Sequence, residues 1–177
     1  YFFIIDEINR GNLSKIFGEL FMLIEKDKRG IELQLLYSDE NFSVPANVYI
    51  IGMMNTADRS LAMLDYALRR RFSFFTMKPG FNTPGFQAYQ DSLKNDAFNK
   101  LIACVKQLNS KIAEDISLGE GFCIGHSYFC GLTPETTNAQ TLSSIVEYEL
   151  IPLLKEYWFD EPAKIVDWSD RLRSAVK

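Results

Sequence analysis

Two uniformly apolar segments constrain the fold of this chain more than any other feature of its sequence. Residues 1–5 read YFFII, and residues 48–54 read VYIIGMM. A run without polar residues at alternate positions predicts a strand that is covered on both faces, as is typical of parallel sheets. Between the two runs, residues 13–25 place hydrophobic side chains at helical spacing. The sequence therefore predicts a parallel α/β sheet in which strands and helices alternate.

The same alternation continues along the first part of the chain. Hydrophobic stretches at 31–37 and 42–44 flank a polar segment, which predicts a hairpin. Ser60 is the predicted N-cap of a helix that runs to about residue 70. Residues 72–77 are again rich in aromatic side chains, and we expect them to form a third strand.

The composition changes near residue 80, where helical patterns begin to dominate. Residues 96–115 and 142–157 have helical spacing, and a glycine-rich passage at 119–131 separates them. We therefore expect two domains: a partial α/β core over residues 1–80 and a mostly helical domain over residues 81–177.

Charge and cysteine content restrict the class of protein. The 23 acidic and 19 basic residues give a formal net charge of −4, which is not the electrostatic footprint of a nucleic-acid-binding surface. Three cysteines make no even disulfide framework, and no signal peptide or apolar run of about 20 residues is visible. We expect a cytoplasmic, reducing location with no membrane contact, and any reading of DNA to be done elsewhere.

Two carboxylates follow the first apolar run. Asp6 and Glu7 come directly after four apolar residues, so a buried strand delivers both to the edge of the predicted sheet. This arrangement suits phosphoryl transfer, in which the first acid serves Mg²⁺ and the second orients or deprotonates the attacking water. The alternative is a plain helix N-cap, since Asp6 or Asn9 could satisfy the amides of the next helix.

A polar amide follows the second apolar run. Asn55 follows residues 48–54 directly, just as Asp6 and Glu7 follow residues 1–5. Because the carboxyl ends of parallel strands meet at one edge of a sheet, we expect these side chains at the same edge. An Asn side chain there can hydrogen-bond a terminal phosphate and a water without adding negative charge. Helix capping by Asn55 or Ser60 is the alternative.

Three consecutive arginines, Arg69, Arg70 and Arg71, stand at the end of the predicted 60–70 helix. Cations at that position pair favourably with the helix dipole, which is a purely structural explanation. The alternative is an arginine finger that stabilises charge on the terminal phosphate of a nucleotide bound by a neighbouring subunit.

Four segments together resemble the McrB branch of the AAA+ nucleoside triphosphatases. They are residues 3–11 (FIIDEINRG), 54–60 (MNTADRS), 64–72 (LDYALRRRF) and 125–129 (GHSYF). The resemblance implies the C-terminal part of an AAA+ parallel αβα sandwich followed by a helical lid subdomain. It also implies GTP or ATP as substrate with Mg²⁺, GTP being favoured, and a ring of identical subunits, expected to be a hexamer. The implied partners are an McrC-like nuclease subunit and DNA, the latter held by a domain outside these residues.

The resemblance also carries roles to individual residues. Asp6 would hold Mg²⁺ and Glu7 the attacking water. Asn55 would be the sensor 1 residue, and Arg70 or Arg71 would reach the neighbour's phosphate. Four more residues are implied around the nucleotide, namely Asn9 and Arg10 lining the site, Asp65 orienting the arginines and His126 approaching from the lid.

One family motif does not occur in these residues. No Gly-x-x-x-x-Gly-Lys-[Ser/Thr] is present, and the nearest approach, Gly80 to Gly85, continues with Phe86 and Gln87. That phosphate-binding loop precedes the acidic pair in AAA+ proteins. We therefore expect the chain to be part of a longer protein, and residues 1–177 alone to show no turnover.

Three other interpretations compete with a restriction motor. Cys123, His126 and Cys130 lie within eight residues and could bind zinc, although structural zinc sites normally have four ligands. An ATP-driven remodelling chaperone of the MoxR or dynein-related kind would share most motor motifs. A noncatalytic AAA+ scaffold is the third, but such a protein has no use for the pair Glu7 and Asn55.

Overall fold

The computed structural model describes residues 1–55, 57 and 69–177. It contains two compact units, Tyr1–Thr76 and Met77–Lys177, and the division falls just upstream of the domain boundary expected at residue 80. Asp65 and most of the predicted 60–70 helix lie outside the described residues. Among the described residues, the helices are too short or too polar for any of them to cross a lipid bilayer.

The first unit contains the two predicted apolar strands as direct neighbours. Strand β1 (Phe2–Ile5) pairs in parallel with β4 (Tyr49–Gly52), so that Phe2 faces Tyr49 and Ile5 faces Gly52. A short antiparallel pair, β2 (Leu33–Gln34) and β3 (Asn41–Phe42), lies between them in sequence. The parallel pair and the hairpin are therefore confirmed.

The predicted burial of the apolar strands is wrong for this unit. Phe2, Phe3 and Ile4 are 72%, 54% and 59% exposed, and Tyr49 is 61% exposed. The described part of the unit places no helix layer over these side chains, so pairing of the two backbones leaves both faces of β1 open. Apolar surface of this extent on a folded protein marks a face that another element covers.

Two further expectations for the first unit are wrong. Residues 13–25 form a short helix α1 (Leu13–Phe17) and then a 3₁₀ segment (Gly18–Ile24), because Gly18 adopts a left-handed φ of 49° that interrupts the α-helix. Residues 73–79 form neither helix nor strand. Strong β propensity does not make a strand unless a partner edge accepts its hydrogen bonds.

A small core holds the polar end of the sheet together. Ile8, in a 3₁₀ turn (Ile8–Arg10), is 6% exposed and packs against partly buried aliphatic and aromatic side chains, namely Ile5, Phe17, Phe21 and Phe72. A Cβ atom at Gly52 would lie 2.6 Å from Ile8 Cδ1, so the absence of a side chain at Gly52 makes room for Ile8. A further 3₁₀ turn occupies Lys26–Lys28.

The second unit is almost entirely helical, as predicted. Its α-helices are α2 (Pro84–Leu93), α3 (Asp96–Glu114), α4 (Ala139–Ile145), α5 (Ile151–Tyr157) and α6 (Pro162–Ala175). The side chains of Thr83, Asn95 and Asn138 cap α2, α3 and α4 by accepting a backbone N–H three residues later. The predicted 142–157 helix is interrupted by one π turn (Val146–Leu150), and α2 and α6 were not anticipated from the sequence.

One continuous core fills the second unit. It contains Phe98, Leu108 and Ile112 of α3, Leu150 and Leu154 of the segment around the π turn, and Leu172 of α6, all 0% exposed. The glycine-rich passage adds two 3₁₀ turns, Glu120–Phe122 and His126–Phe129, and Phe129 is buried. Polar clamps fix this passage: the Asn109 side chain accepts Ile124 N at 2.7 Å and donates to Ile124 O at 2.9 Å.

Candidate functional site

The acidic pair lies in a turn that is fastened to the end of the neighbouring strand. Met53, the residue after β4, donates its N–H to Ile5 O at 2.9 Å and accepts Ile8 N–H through its carbonyl at 2.8 Å. Asp6 and Glu7 lie between these two hydrogen bonds. Both carboxylates are therefore held at the polar edge of the β1–β4 pair, where the sequence predicted them.

Glu7 adopts an uncommon backbone conformation. Its φ of 49° and ψ of 46° place it in the left-handed region, which costs a non-glycine residue about 1 kcal/mol or more. The Asp6 carboxylate accepts the Glu7 N–H through Oδ1 at 2.9 Å, and the Glu7 carboxylate forms an ion pair with Arg10. Such backbone strain is concentrated at sites where a side chain must point in one direction.

Asn55 lies two residues beyond Met53, at the same edge. Its side-chain Oδ1 accepts the N–H of Ala57 at 3.0 Å, which forms a small Asx turn at the end of β4. The parallel register and the two hydrogen bonds of Met53 bring the residues that follow β1 and β4 to one edge, and Asn55 comes two residues after Met53. Thr56, between Asn55 and Ala57, and Asp58 lie outside the described residues.

Asn9 is the buried polar residue of this turn. Asn9 is 7% exposed, and within the described part of the chain its side-chain Oδ1 atom is buried without a hydrogen-bond partner. A buried acceptor without a donor is unfavourable by about 1–3 kcal/mol. Asn9 therefore does not act as a helix cap within the described residues, and the 3₁₀ turn has no side-chain cap bond.

Arg71 is engaged within its own unit. Its guanidinium forms an ion pair with Glu25 and lies 4.3 Å from the centre of the Phe21 ring, and its side chain is only 14% exposed. Arg70 is exposed at the surface. The two arginines therefore have different environments although they are adjacent in sequence.

His126 belongs to the second unit and contacts its first residues. Its Nδ1 accepts the N–H of Gly80 at 3.0 Å, and its ring packs edge-on against Phe81 and Phe86. The proposed zinc ligands have other partners: the Cys123 thiol donates to Asn109 O at 3.5 Å and the Cys130 thiol to His126 O at 3.4 Å. The three residues do not form a ligand set.

Comparison with known proteins agrees with this architecture. A model of the AAA domain (dynein-related subfamily) matches residues 1–72, and a model of the McrB alpha-helical lid domain matches residues 100–166. The type IV methyl-directed restriction enzyme EcoKMcrB subunit of Escherichia coli K12 is 52% identical over 185 aligned residues, which cover 97% of this chain. The chain is an McrB-like AAA+ protein. This confirms the resemblance and the fold class inferred from the sequence.

A second relative is more distant from this McrB-like chain. The type II restriction enzyme BsuMI component YdiS of Bacillus subtilis strain 168 is 29% identical over 143 residues, which cover 69% of the chain. The chain spans 40% of the length of the first relative and 42% of the length of the second. Both relatives carry the name of a restriction enzyme component.

The polar edge of this McrB-like core suits a magnesium ion bound together with a nucleotide. Among the described residues, no group of three or more His, Cys, Asp or Glu side chains could hold a metal ion by itself. Mg²⁺ usually needs only one or two protein carboxylates, because phosphates and water complete its shell. Asp6 and Glu7, both exposed at the edge, meet that requirement.

Two residues around Arg71 were missed by the sequence analysis. Glu25 and Phe21 hold the Arg71 guanidinium, yet both lie more than 40 residues away in the chain and had been placed in one amphipathic helix. No local pattern links them, because the contacts join residues that are far apart in the sequence. The backbone role of Met53 was also missed, since hydrogen bonds between main chains leave no trace in residue type.

Proposed function

We propose that the whole protein is the nucleoside triphosphatase motor of an McrBC-type DNA restriction system and hydrolyses GTP in preference to ATP. The observation that carries this is the acidic turn of Asp6 and Glu7, which is fastened by Met53 to the end of β4, three residues before Asn55. The AAA domain and the relative named as a methyl-directed restriction subunit support it. A nuclease partner of the McrC kind would cut DNA that another domain has recognised by its modified cytosine.

Each residue of the acidic turn has a distinct task in this proposal. A bound Mg²⁺ neutralises charge on the phosphate oxygens during the transfer. Asp6 holds the metal through its carboxylate, and Glu7, aimed by its left-handed backbone, accepts the proton of the attacking water. Asn55 orients that water and the terminal phosphate without adding charge, and Asn9 and Arg10 line the floor of the same site.

The second candidate function is ATP-driven protein remodelling by a MoxR or dynein-related motor. The match of residues 1–72 to a dynein-related AAA domain is compatible with both functions. The match of residues 100–166 to the lid domain described for McrB favours the restriction motor. Gene neighbours that encode a nuclease would support restriction, and a von Willebrand-type protein would support remodelling.

The test is Glu7→Gln in the full-length protein. The amide still hydrogen-bonds water but cannot accept its proton, so turnover should fall by about a thousandfold while Mg²⁺-dependent GTP binding changes by less than about threefold. Asp6→Asn should instead weaken Mg²⁺-dependent binding. Single-turnover kinetics with GTP and ATP measure both effects. Turnover of the Glu7→Gln protein within tenfold of wild type would refute the assignment.

The ring proposal concerns the adjacent arginines. Arg70 is the better candidate for the contact with a neighbour's nucleotide, because it is exposed whereas the Arg71 side chain is only 14% exposed. Mixing inactive Arg70→Ala protein with inactive Glu7→Gln protein should restore part of the activity in mixed rings. Arg71→Ala in the same mixture should restore less, since its loss also disturbs its own unit. Mixed rings that form and never exceed either parent contradict a contact in trans.

Residues 1–177 alone should bind nucleotide poorly. Affinity in these proteins comes largely from backbone amides and a lysine around the phosphates, and the motif that supplies them does not occur in this sequence. We expect no turnover and no GTP or ATP binding tighter than about millimolar. Isothermal calorimetry of this chain with Mg²⁺ is the measurement, and micromolar binding would show that another set of residues cradles the phosphates.

A further inference from the structure

His126 fastens the beginning of the second unit to its glycine-rich passage. Its Nδ1 accepts the Gly80 N–H at 3.0 Å, across 46 residues of sequence, in a partly buried position. Only an imidazole without a proton on Nδ1 can accept there, so the bond selects the tautomer protonated on Nε2. The imidazole ring lies edge-on to the Phe86 ring, with centroids 5.8 Å apart, and this packing restricts the orientation of the imidazole and so the direction of Nδ1.

The anchor that carries His126 is firm. His126 begins a 3₁₀ turn that ends at Phe129, whose side chain is 0% exposed in the core of the unit. The Tyr89 hydroxyl donates to Phe129 O at 2.9 Å and so ties this turn to α2. A hydrogen bond to His126 therefore fixes Gly80 with respect to the whole second unit.

Gly80 is matched to this contact. A Cβ atom at Gly80 would lie 2.9 Å from His126 Cε1 and 3.1 Å from Nδ1, which is closer than side-chain contacts in folded proteins. The limitation is steric, because no left-handed φ is required there. Gly85, five residues later, has no atom within 4 Å of an added Cβ and provides a matched comparison.

The chain immediately before Gly80 has no comparable contact. Residues 73–79 form no helix or strand, and residues 73–78 are exposed. Lys78 forms an ion pair with Glu120 at 3.2 Å, but both side chains are about 70% exposed, and such pairs hold a backbone weakly. Gly80 is thus the first residue of the second unit whose main chain is held by a partly buried side chain.

We infer that His126 is a positioning residue that sets the downstream end of a hinge over residues 73–79. Rotations that change the direction of the chain between the two units occur before Gly80, and the hydrogen bond to His126 prevents them from spreading into Phe81 and α2. In the proposed motor, such a boundary makes the lid respond as one body when nucleotide is hydrolysed. This last step rests on the proposed function; the boundary itself does not.

The boundary is tested by amide hydrogen exchange on the chain of 177 residues. In wild type, exchange should be fast at residues 73–78 and slow at Gly80, and Pro79 has no amide hydrogen. His126→Leu removes the acceptor, so exchange at Gly80 should accelerate about tenfold or more and spread to Phe81. His126→Asn places an amide oxygen close to the position of Nδ1 and should keep exchange within about threefold of wild type. Equal exchange at Gly80 in all three proteins overturns the inference.

A second pair of variants keeps the test independent of the histidine. Gly80→Ala leaves the N–H donor in place but pushes the ring away, so it should reproduce the faster exchange of His126→Leu. Gly85→Ala should not. The single histidine of the sequence also gives one imidazole signal, and nitrogen-15 spectra should show the Nε2-protonated tautomer in wild type. An Nδ1-protonated ring would exclude the hydrogen bond and overturn the inference.

The consequence for turnover is measured in the full-length protein. His126→Leu and Gly80→Ala should lower kcat about tenfold with KM changed by less than about threefold, and His126→Asn should restore kcat. Faster exchange at Gly80 together with unchanged kcat in an active wild-type background overturns the positioning role. If the wild-type protein shows no turnover, that result contradicts the proposed function instead. The hydrogen-exchange rates at Gly80 then test the hinge without any measurement of turnover.

Discussion

The two units bury their apolar side chains to very different extents. The second unit gathers 21 buried hydrophobic residues into one cluster. The cluster at the polar edge of the first unit contains a single buried residue, Ile8, and the strands beside it expose Phe2, Phe3 and Ile4. Both units are rich in hydrophobic residues, so composition does not explain the contrast.

The difference shows where stability and chemistry lie in this protein. In the second unit, the helices pack against one another and contribute side chains to one buried cluster, so burial of apolar surface within the unit stabilises it. In the first unit, hydrogen bonds and one small cluster position Asp6, Glu7 and Asn55 while large apolar faces stay open. Substitutions in the buried core of the second unit should therefore affect folding, and those at the acidic turn of the first unit should affect turnover.

Separating the units should have the largest effect. Residues 77–177 produced alone should unfold in urea in one cooperative transition, because their core is complete. Residues 1–76 alone should show no such transition, since the burial of one small cluster does not offset the chain entropy. Tryptophan fluorescence reports the second unit, which contains Trp158 and Trp168, and circular dichroism reports the first. A cooperative transition of residues 1–76 would remove the contrast.

Truncating the core of the second unit should have the next largest effect. Leu150 is 0% exposed in the π turn, and Leu150→Ala should lower the free energy of unfolding by about 3 kcal/mol through lost burial and a cavity. Phe159 is 80% exposed, and Phe159→Ala should change the free energy of unfolding by less than about 0.5 kcal/mol. Urea denaturation measures both, and similar losses would show that this unit is loosely packed.

Asp115 joins three elements of the second unit and should contribute less than the core. Its carboxylate, which is 10% exposed, accepts the Trp158 Nε1–H at 2.9 Å and the Lys164 ammonium at 3.0 Å through Oδ2. Ser117 donates its hydroxyl to Oδ1 at 2.7 Å. Asp115→Asn keeps the shape and removes the charge, so it should lower the free energy of unfolding by about 2 kcal/mol.

The same carboxylate predicts a pH dependence. Hydrogen bonds from Ser117 first, then from Trp158 and Lys164, hold the pKa of Asp115 well below its usual range, although burial opposes them. A depressed carboxyl pKa stabilises the folded state above the unfolded pKa of about 4, and that contribution is lost as the pH falls further. The stability of wild type should decline between about pH 4 and pH 2 more steeply than that of Asp115→Asn. Parallel declines contradict this.

A substitution beneath the acidic turn should have the smallest effect on stability. Gly52→Ala places a Cβ atom 2.6 Å from Ile8 Cδ1, 3.2 Å from its Cγ2 and 3.4 Å from its Cβ, so the free energy of unfolding should fall by about 1 kcal/mol. Ile8 directly follows Glu7, however, and its displacement should lower turnover of the full-length protein at least about tenfold. Gly85→Ala is the control. A large loss of stability with normal turnover would contradict the view that the first unit serves turnover more than stability.

Local patterns predicted the elements that depend on contacts near in sequence. The 96–115 helix was predicted because its apolar spacing lies within the segment, and it appears as Asp96–Glu114. The 13–25 helix was not correct, since one glycine in a left-handed conformation ended it early. The third strand at 72–77 was wrong because a strand needs a partner edge, which composition does not supply.

The sequence by itself determined the polar ends of both strands, because residue type and a uniform apolar run fix where a parallel sheet edge presents side chains. It also determined the class of the protein, since four separated motifs match one family. Only the tertiary structure decided that Glu25 and Phe21 hold Arg71 and that His126 binds Gly80. These contacts join residues about 45 positions apart, and the free energy that selects them comes from packing that no local pattern encodes.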